Sequence, residues 1–513
     1  LGMNARDVSG KTGGKATVYN FEIPRPSTRS ILVGLKWFRD IATELNLSKN
    51  NINRERGVLL QEYLAMSASR EELATEEILN GKLFPCMHKD NQNFIVHNKT
   101  FPYKDLQKFH RKWYRPDLMA ISIVGNIENP KELESLIKKN FSAIQRRTKV
   151  LKEENCTELY FNSDHKFSIV KREVNSIKKS FGKPINLNLY FRDQTTLKKR
   201  NSLSGYKSLL EAHFITKILN TRFREEAKVY NHNARRFSIH TMETKTSNSG
   251  KPESALKVII RTRIHEEVAA LEKTISIIQQ LKEYGISKRE LEKTRKQFLK
   301  DFSLTQTSNT DYWLAEIKKH FVYHDILPKN KNACTRDIIA NFSKEEINNS
   351  VQRLFSNEPE DIGIILPSDY SSLLENEKKV RSIIREVFKS PVNQFKIPRA
   401  PTKLLNEKEV QALEPRKIAS TFEKSSNIKE YVLENGLKIV LNPLKGNSSS
   451  GKISLQGFTP FGAACFPKND YFSAIYAPSI IKNTGIGQFS KFDLERYFQK
   501  FNSIQTGIYP YIS

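Results

Sequence analysis

The sequence predicts an α+β protein of tandem homologous domains, each an antiparallel sheet covered by helices. Three observations carry that prediction. At 513 residues the chain is too long for one ordinary core. Runs of strand period alternate with longer runs of helical period, and the series restarts near residue 151. The stretch "VNQFKIPRAPTKLLNEKEVQALEPRK" then has three prolines and little periodicity before a fresh strand pair begins. The blocks fall at 1–150, 151–395, a linker over 396–429, and 430–513.

In the first block "ATVYNFEIP" (16–24) alternates β-branched and aromatic residues and ends at proline, which reads as a strand. "RSILVGLKWFRDIATEL" (29–45) repeats Ile31, Leu35, Phe38, Ile41, Ala42 and Leu45 at helical spacing. Ser48 is placed to cap the next helix, "NINRERGVLLQEYLAMS", which carries Glu55 and Glu62. A loop is expected over 83–102, then a helix in "FPYKDLQKFHRKWY" closed by Arg115-Pro116. "LMAISIVGNI" (118–127) reads as a buried strand and "NPKELESLIKKNFSAI" (129–144) as a helix.

In the second block "HKFSIVKREV", "PINLNLYFR" and "ALKVIIRTRI" read as strands. "SGYKSLLEAHFITKILNTRFREEAK" is a long amphipathic helix, and "HEEVAALEKTISIIQQLKEYG" a helix stopped by Gly285. Ser287 and Glu290 have capping-box spacing, in which hydroxyl and carboxylate satisfy the first free amides reciprocally. The last block opens with "EYVLENGLKIVLNPL", two alternating runs joined by Asn435-Gly436, because both residues tolerate the positive φ of a tight hairpin.

Composition narrows the function classes. Apolar content of 38% with 27% charged residues is that of a globular protein. No run is long and apolar enough to span a bilayer, so no transmembrane segment is expected in this stretch. The net charge of +28 is spread along the chain without a basic arm, zinc-finger spacing or RNA-binding aromatic signature, so no nucleic-acid partner is expected. Cys86, Cys156, Cys334 and Cys465 form no C-x-x-C pair, which argues against a disulfide framework or a cysteine zinc site. Gly10-Lys11-Thr12 imitates the end of a phosphate loop, but the glycine needed five residues earlier is Ala5 and a strand follows, so that reading fails.

"LQKFHRKWYRPDLMAISIVGNI" carries a resemblance. Helix, W-Y-R-P-D-x-M-A, and an apolar run ending V-G-N-I together resemble the pitrilysin/insulinase family of zinc metallopeptidases, the inverted zincins. The likeness is closest to the large bacterial periplasmic members. "RERGVLLQE", "ILNTRFREE", "EYGISKRELEK", "EYVLENGLKIVL" and "SAIYAPSIIKNTGIGQFSKFDLERY" fall in the family's order, so the likeness runs along almost the whole chain.

The resemblance implies tandem metallopeptidase-type domains forming half of a clamshell around an unfolded peptide. It makes 1–150 the remainder of the first, zinc-bearing domain, 151–395 the second, and 430–513 the start of a third, non-catalytic one. The expected activity is zinc-dependent endopeptidase, with Zn2+ as cofactor and a periplasmic or secreted location. The alternative is a catalytically inactive homologue serving as scaffold or peptide-binding partner. A homo- or hetero-dimer is a further expectation.

In this family a first helix supplies H-x-x-E-H, and a later helix supplies a Glu ligand seven residues after another Glu. That pattern maps onto Glu55 and Glu62. Glu62 becomes the metal ligand, and Glu55 the carboxylate that orients a ligating His. None of the ten histidines lies in an H-x-x-E-H or H-E-x-x-H motif, so the two His ligands and the general-base Glu are expected upstream of residue 1, and this chain alone should be inactive. His320 and His324 could share a helical face, but no base lies between them and packing or surface roles are expected. Ser9, Gly10, Lys11 and Thr12 occupy the place of the family's substrate-pairing edge, where only Thr12 keeps the family residue and glycine loosens the strand.

Overall fold

The computed structural model describes residues 8–13, 16–24, 26–86, 94–145, 156–173, 184–193, 201–230, 237–243, 255–303, 309–323, 325–326, 328–415, 417–425, 428–443, 455–457 and 462–498. They divide into two units, Leu1–Lys396 and Ile397–Ser513.

The N-terminal region of the first unit opens with β1 (Val8–Thr12) and β2 (Thr17–Phe21), an antiparallel pair in which Val8 faces Phe21 and Thr12 faces Thr17. Helix α1 (Thr28–Thr43) starts at a reciprocal cap, with Ser30 N donating to Ser27 Oγ at 3.1 Å and Ser27 N donating to Ser30 Oγ at 2.8 Å. The hydroxyl of Ser48 caps α2 (Lys49–Leu83), which runs for 35 residues. Three shorter helices follow: α3 (Phe94–Thr100), inside the stretch expected as loop, α4 (Tyr103–Trp113), and α5 (Pro130–Phe141), capped by Asn129.

The run 118–127, expected as a buried strand, is neither paired nor buried. A single 3-10 turn spans Pro116–Leu118, and Leu118, Met119, Ile123 and Ile127 beyond or within it are 45%, 37%, 36% and 37% exposed. An apolar run becomes a strand only where a neighbour offers a hydrogen-bond ladder. Among the described residues of this region β1 and β2 pair only with each other, and no such neighbour is present.

The rest of this unit is built on one sheet. In chain order it comprises α6 (Cys156–Phe161), β3 (Phe167–Arg172), β4 (Pro184–Arg192), α7 (Leu203–Tyr230), β5 (Phe237–Glu243), β6 (Ala255–Arg263), α8 (Glu267–Tyr284), α9 (Lys288–Ser303), α10 (Thr310–Tyr323), α11 (Pro328–Ala340), α12 (Lys344–Leu354), β7 (Asp361–Pro367) and α13 (Glu377–Lys389). The strand order is β3-β7-β4-β6-β5, antiparallel except for the parallel β3–β7 pair.

Central strand β4 explains the layering. Ile185, Leu187, Leu189 and Phe191 alternate onto one face, where α7, α8, α12 and α13 bury them with Phe214, Leu219, Ile275, Val351 and Ile384. Asn186, Asn188 and Tyr190 alternate onto the other face, also buried. That face is covered by the last turns of α2, whose Leu79 and Leu83 join Tyr190, Val170 and Ile365 in a second cluster. Glycine at 363 permits this approach: a Cβ there would lie 2.8 Å from Leu79 Cδ2 and 2.9 Å from Leu83 Cδ1.

The capping box at Ser287 and Glu290 is present, with Ser287 N donating to Glu290 Oε2 at 2.8 Å and Glu290 N to Ser287 Oγ at 3.2 Å. Gly285 ends α8 at φ 64°. One expectation is corrected here: Cys86 and Cys156 are joined in a disulfide with a Cα–Cα distance of 5.4 Å. Their separation of 70 residues hid the pair, since sequence spacing does not report spatial proximity.

In the second unit the stretch expected as a linker is not structureless. It holds α14 (Glu407–Gln411) and the whole of β8 (Ile418–Ser425), the first strand of a three-stranded antiparallel sheet, which pairs with β9 (Ile428–Leu433). β9 pairs in turn with β10 (Lys438–Leu441) through the Asn435-Gly436 turn, where Gly436 has φ 83°. Helices α15 (Lys468–Thr484) and α16 (Lys491–Phe498) complete the described part.

Candidate metal-ligand helix and substrate edge

The N-terminal half of α2 presents Glu55 and Glu62 on nearly one line, because seven residues at about 100° each fall 20° short of two turns. Val58 and Leu59 lie between them on the same side, 48% and 45% exposed, and Leu64 beyond is 45% exposed. This stripe is therefore an apolar face bracketed by two carboxylates and left uncovered by the described residues. Glu55 accepts a hydrogen bond from Arg54 Nε at 3.2 Å, an exposed pair held by little. Glu62 is exposed and has no recorded partner among the described residues.

Packing fixes the rotation of this helix by contacts that sequence reading missed. The guanidinium of Arg56 donates through Nη1 to Lys99 O at 2.6 Å and through Nη2 to Phe101 O, and lies 4.2 Å over the Phe101 ring. Asn98, buried, donates back to Arg56 O at 2.9 Å. Gln107 of α4 reaches Leu47 O at 2.9 Å, just ahead of the helix. Nothing in the spacing announced these links, which join residues about 40 to 60 apart to backbone carbonyls.

Ser9, Gly10, Lys11 and Thr12 all lie in β1, one side of which pairs with β2 while the other is open among the described residues. Gly10 sits against Tyr19, where a Cβ would come 3.1 Å from the ring. Tyr19 and Tyr114 share a hydroxyl hydrogen bond of 2.6 Å, and burial together with that bond pushes Tyr114 well above the ordinary phenol value. No recorded hydrogen bond or ion pair joins β1 to Glu55 or Glu62 among the described residues.

A zinc peptidase site needs three protein donors. No group of three or more His, Cys, Asp or Glu side chains is arranged to hold a metal ion among the described residues. Glu55 and Glu62 alone therefore do not make a zinc site, although carboxylate oxygens are among the donors zinc accepts. His320 is engaged otherwise, its Nδ1 lying 2.7 Å from Asp325 O, while His88 and His324 lie outside the described residues. No described helix is long and apolar enough to cross a membrane.

The fold, α+β domains of metallopeptidase type, is similar to one half of the clamshell structures of periplasmic proteases. The Peptidase M16 inactive domain family matches residues 100–298. The probable zinc protease PqqL of Haemophilus influenzae is 21% identical across 98% of this chain and 52% of its own length. Its namesake in Escherichia coli is 19% identical across 96% and 51%. Among solved structures, the periplasmic protease PqqL from Escherichia coli aligns over 98% of this chain and 54% of its own, with TM-score 0.57 and 15% identity. The ferredoxin protease FusC, solved in complex with Arabidopsis ferredoxin, aligns over 97% and 54% with TM-score 0.65 and 13% identity.

Over residues 100–298, and in these relatives along most of its length, the chain is similar to the M16 peptidases, the pitrilysin/insulinase family. It spans about half the length of the curated relatives it matches.

Proposed function

We propose that this chain is part of a zinc-dependent metalloendopeptidase acting on unfolded peptides, to which it contributes Glu62 as one metal ligand. Zinc in such a site would supply Lewis-acid chemistry at the peptide carbonyl. Glu55 orients a histidine donor through that ring's second nitrogen. The histidines and the general base belong to residues outside this sequence, in keeping with a match to half of each zinc-protease relative. The open edge of β1 over Ser9–Thr12 receives peptide backbone by strand addition. A periplasmic or secreted location is supported by the description of the Escherichia coli relative and by the Cys86–Cys156 bond, which persists in oxidising compartments.

The observation that carries this reading is the uncovered stripe Glu55–Val58–Leu59–Glu62. Exposed leucine and valine flanked by acids at i, i+3, i+4 and i+7 form a face made for a docking helix, not a solvated one. The second reading, an inactive homologue that holds peptides or scaffolds a partner, is favoured by Ser9, Gly10 and Lys11, which depart from the family's edge.

The test is zinc content and peptidase activity of the whole protein, wild type against Glu62→Gln and Glu55→Gln. Glu62→Gln should lose both metal and activity, and Glu55→Gln should weaken zinc about 10–100-fold. Equal zinc in wild type and Glu62→Gln removes the ligand assignment. A wild type that binds peptide but neither zinc nor cleaves it selects the scaffold.

A further inference from the structure

We propose that the Cys86–Cys156 disulfide is a reducible clasp that keeps α2 seated on the five-stranded sheet, so that a dithiol reductant frees the helix and the N-terminal region with it. The proposal stands whether or not Glu62 binds metal.

The place of the bond comes first. Cys86 lies three residues beyond the end of α2 at Leu83, and Cys156 is the first residue of α6. The chain thus leaves the sheet region at one cysteine and returns at the other. The excursion between them carries α3, α4 and α5, the helices that brace the Glu55 segment through Lys99, Phe101 and Gln107. Both cysteines are half-buried, neither being enclosed in the core.

One end of the clasp is firmly anchored. In α6, Tyr160 donates to Asp361 Oδ2 at 2.5 Å, and Arg192 of β4 donates to the same carboxylate at 3.0 and 2.8 Å while lying 4.3 Å over the Tyr160 ring. Asp361 is fully buried and Arg192 nearly so, so α6 is tied to β4 and β7 by a desolvated, fully engaged pair.

The other end is weakly held. Helix α2 faces the sheet with Glu76, Leu79, Asn80 and Leu83, the i, i+3, i+4, i+7 set, and with Thr75 beside them. Among the described residues the apolar grip is confined to the end of the helix, where Leu79, Leu83 and Phe84 are buried with Ile78 packed beside them and Lys82 Nζ donates to Ile169 O at 3.3 Å. Ahead of them the seam turns polar. Asn80 Oδ1, Asn186 Oδ1, both amide atoms of Asn188, and Tyr190 Oη are buried without a hydrogen-bond partner among the described residues. The ion contact of Lys257 Nζ with Glu76 Oε2 across the seam is long, at 3.5 Å. Buried polar atoms without partners oppose docking, so seating depends on the apolar end and on the covalent bond beside it.

The exchange balances simply. One thiolate of the dithiol attacks a sulfur of the bond, the second displaces the resulting mixed disulfide, and two electrons and two protons leave Cys86 and Cys156 as thiols while the reductant becomes a disulfide.

The experiment uses the whole chain prepared under oxidising conditions. Thiol titration in denaturant should find two thiols, those of Cys334 and Cys465, and four after dithiothreitol. Hydrogen exchange of the native protein should then show amides of α2 and α3–α5 exchanging at least about 10-fold faster on reduction, while β4, β6 and β7 keep their protection. The melting temperature of the first transition should fall by roughly 10 °C, as expected for opening a covalent ring of this length. Cys86→Ser with Cys156→Ser should give the reduced pattern without reductant and no response to it. Four thiols before reduction, an α2 indifferent to reduction, or equal loss of protection in β4 and β7 would each overturn the clasp.

Discussion

Arg222 and Glu290, in the sheet region, meet at 2.8 Å with side chains 2% and 5% exposed, whereas Lys138 and Glu134, in the N-terminal region, meet at 2.6 Å with side chains 70% and 63% exposed. The shorter contact is the weaker one. Water screens the second pair and solvates either partner left alone, while loss of one partner in the first strands a charge in low dielectric. Arg115–Asp117 of the N-terminal region is also shielded, but other pairs repeat the contrast. Arg192–Asp361 and Lys331–Glu316 are shielded, while Lys36–Asp40, Arg54–Glu55 and Lys108–Asp105 lie open. Apolar burial follows the same line, with one continuous cluster on the helix-covered sheet face and only scattered buried residues such as Leu35, Ile41, Ile52 and Leu133 before Thr75 and in α5. The sheet region holds itself together; the N-terminal region leans on it through α2.

If that contrast is right, its largest measure is the core. Phe214, fully buried in α7 against Phe342 at 5.4 Å, should cost about 3–5 kcal/mol when changed to Ala. Leu59→Ala, at a site 45% exposed, should change stability by no more than about 0.5 kcal/mol. Urea denaturation followed by circular dichroism compares them, and equal losses would erase the distinction.

The ion pairs give the next measure. Glu290 accepts from Arg222 Nε and Nη2 at 2.8 and 3.0 Å and from Ser287 N, so Glu290→Ala both strips a buried guanidinium of its carboxylate, leaving it Gly285 O, and uncaps α9. A loss of about 3–5 kcal/mol is expected. Glu134→Ala should leave the unfolding midpoint unchanged, since that side chain is largely open to water. A shift on the second variant comparable to the first would mean that distance, not burial, sets the strength.

The seam between the regions supplies a third, smaller effect. Gly363→Ala places a methyl under Leu79 and Leu83, both essentially buried, and should cost about 1–3 kcal/mol by forcing the helix outward. Faster exchange confined to the end of α2 is the expected signature; slower exchange there would show that the helix has room to spare.

What the sequence made legible divides along the same boundary. Strand β4 matches "PINLNLYFR" residue for residue, and the Ser287–Glu290 box and the Asn435-Gly436 turn were read from a few neighbouring residues. Those are local signals, set by periodicity and capping chemistry. "LMAISIVGNI" failed because apolar content announces a wish for cover, not the identity of the partner. Arg56's reach to Lys99 O, the Cys86–Cys156 bond and the buried amides of Asn186 and Asn188 are long-range facts with no local trace. At the candidate site the spacing of Glu55 and Glu62 was legible and their shared face followed from it. A donor set to go with them was not, because this sequence holds no H-x-x-E-H or H-E-x-x-H motif.

The smallest expected effect is a pH dependence confined to the sheet region. Glu316 of α10 is buried, which alone would raise its carboxyl, but hydrogen bonds from Lys319 and from Lys331 of α11, the latter at 2.5 Å, hold it below the ordinary 4.5. A carboxylate depressed in the folded state contributes stability that is complete above its unfolded value and is lost as pH falls through the folded one. Stability should therefore decline below pH 4.5 with a component that Glu316→Gln removes, flattening the acid limb while lowering stability at neutral pH. Urea midpoints at pH 7 and across the acid limb decide it: an acid limb equally steep in Glu316→Gln would show that the two lysines do no more for Glu316 than open water does.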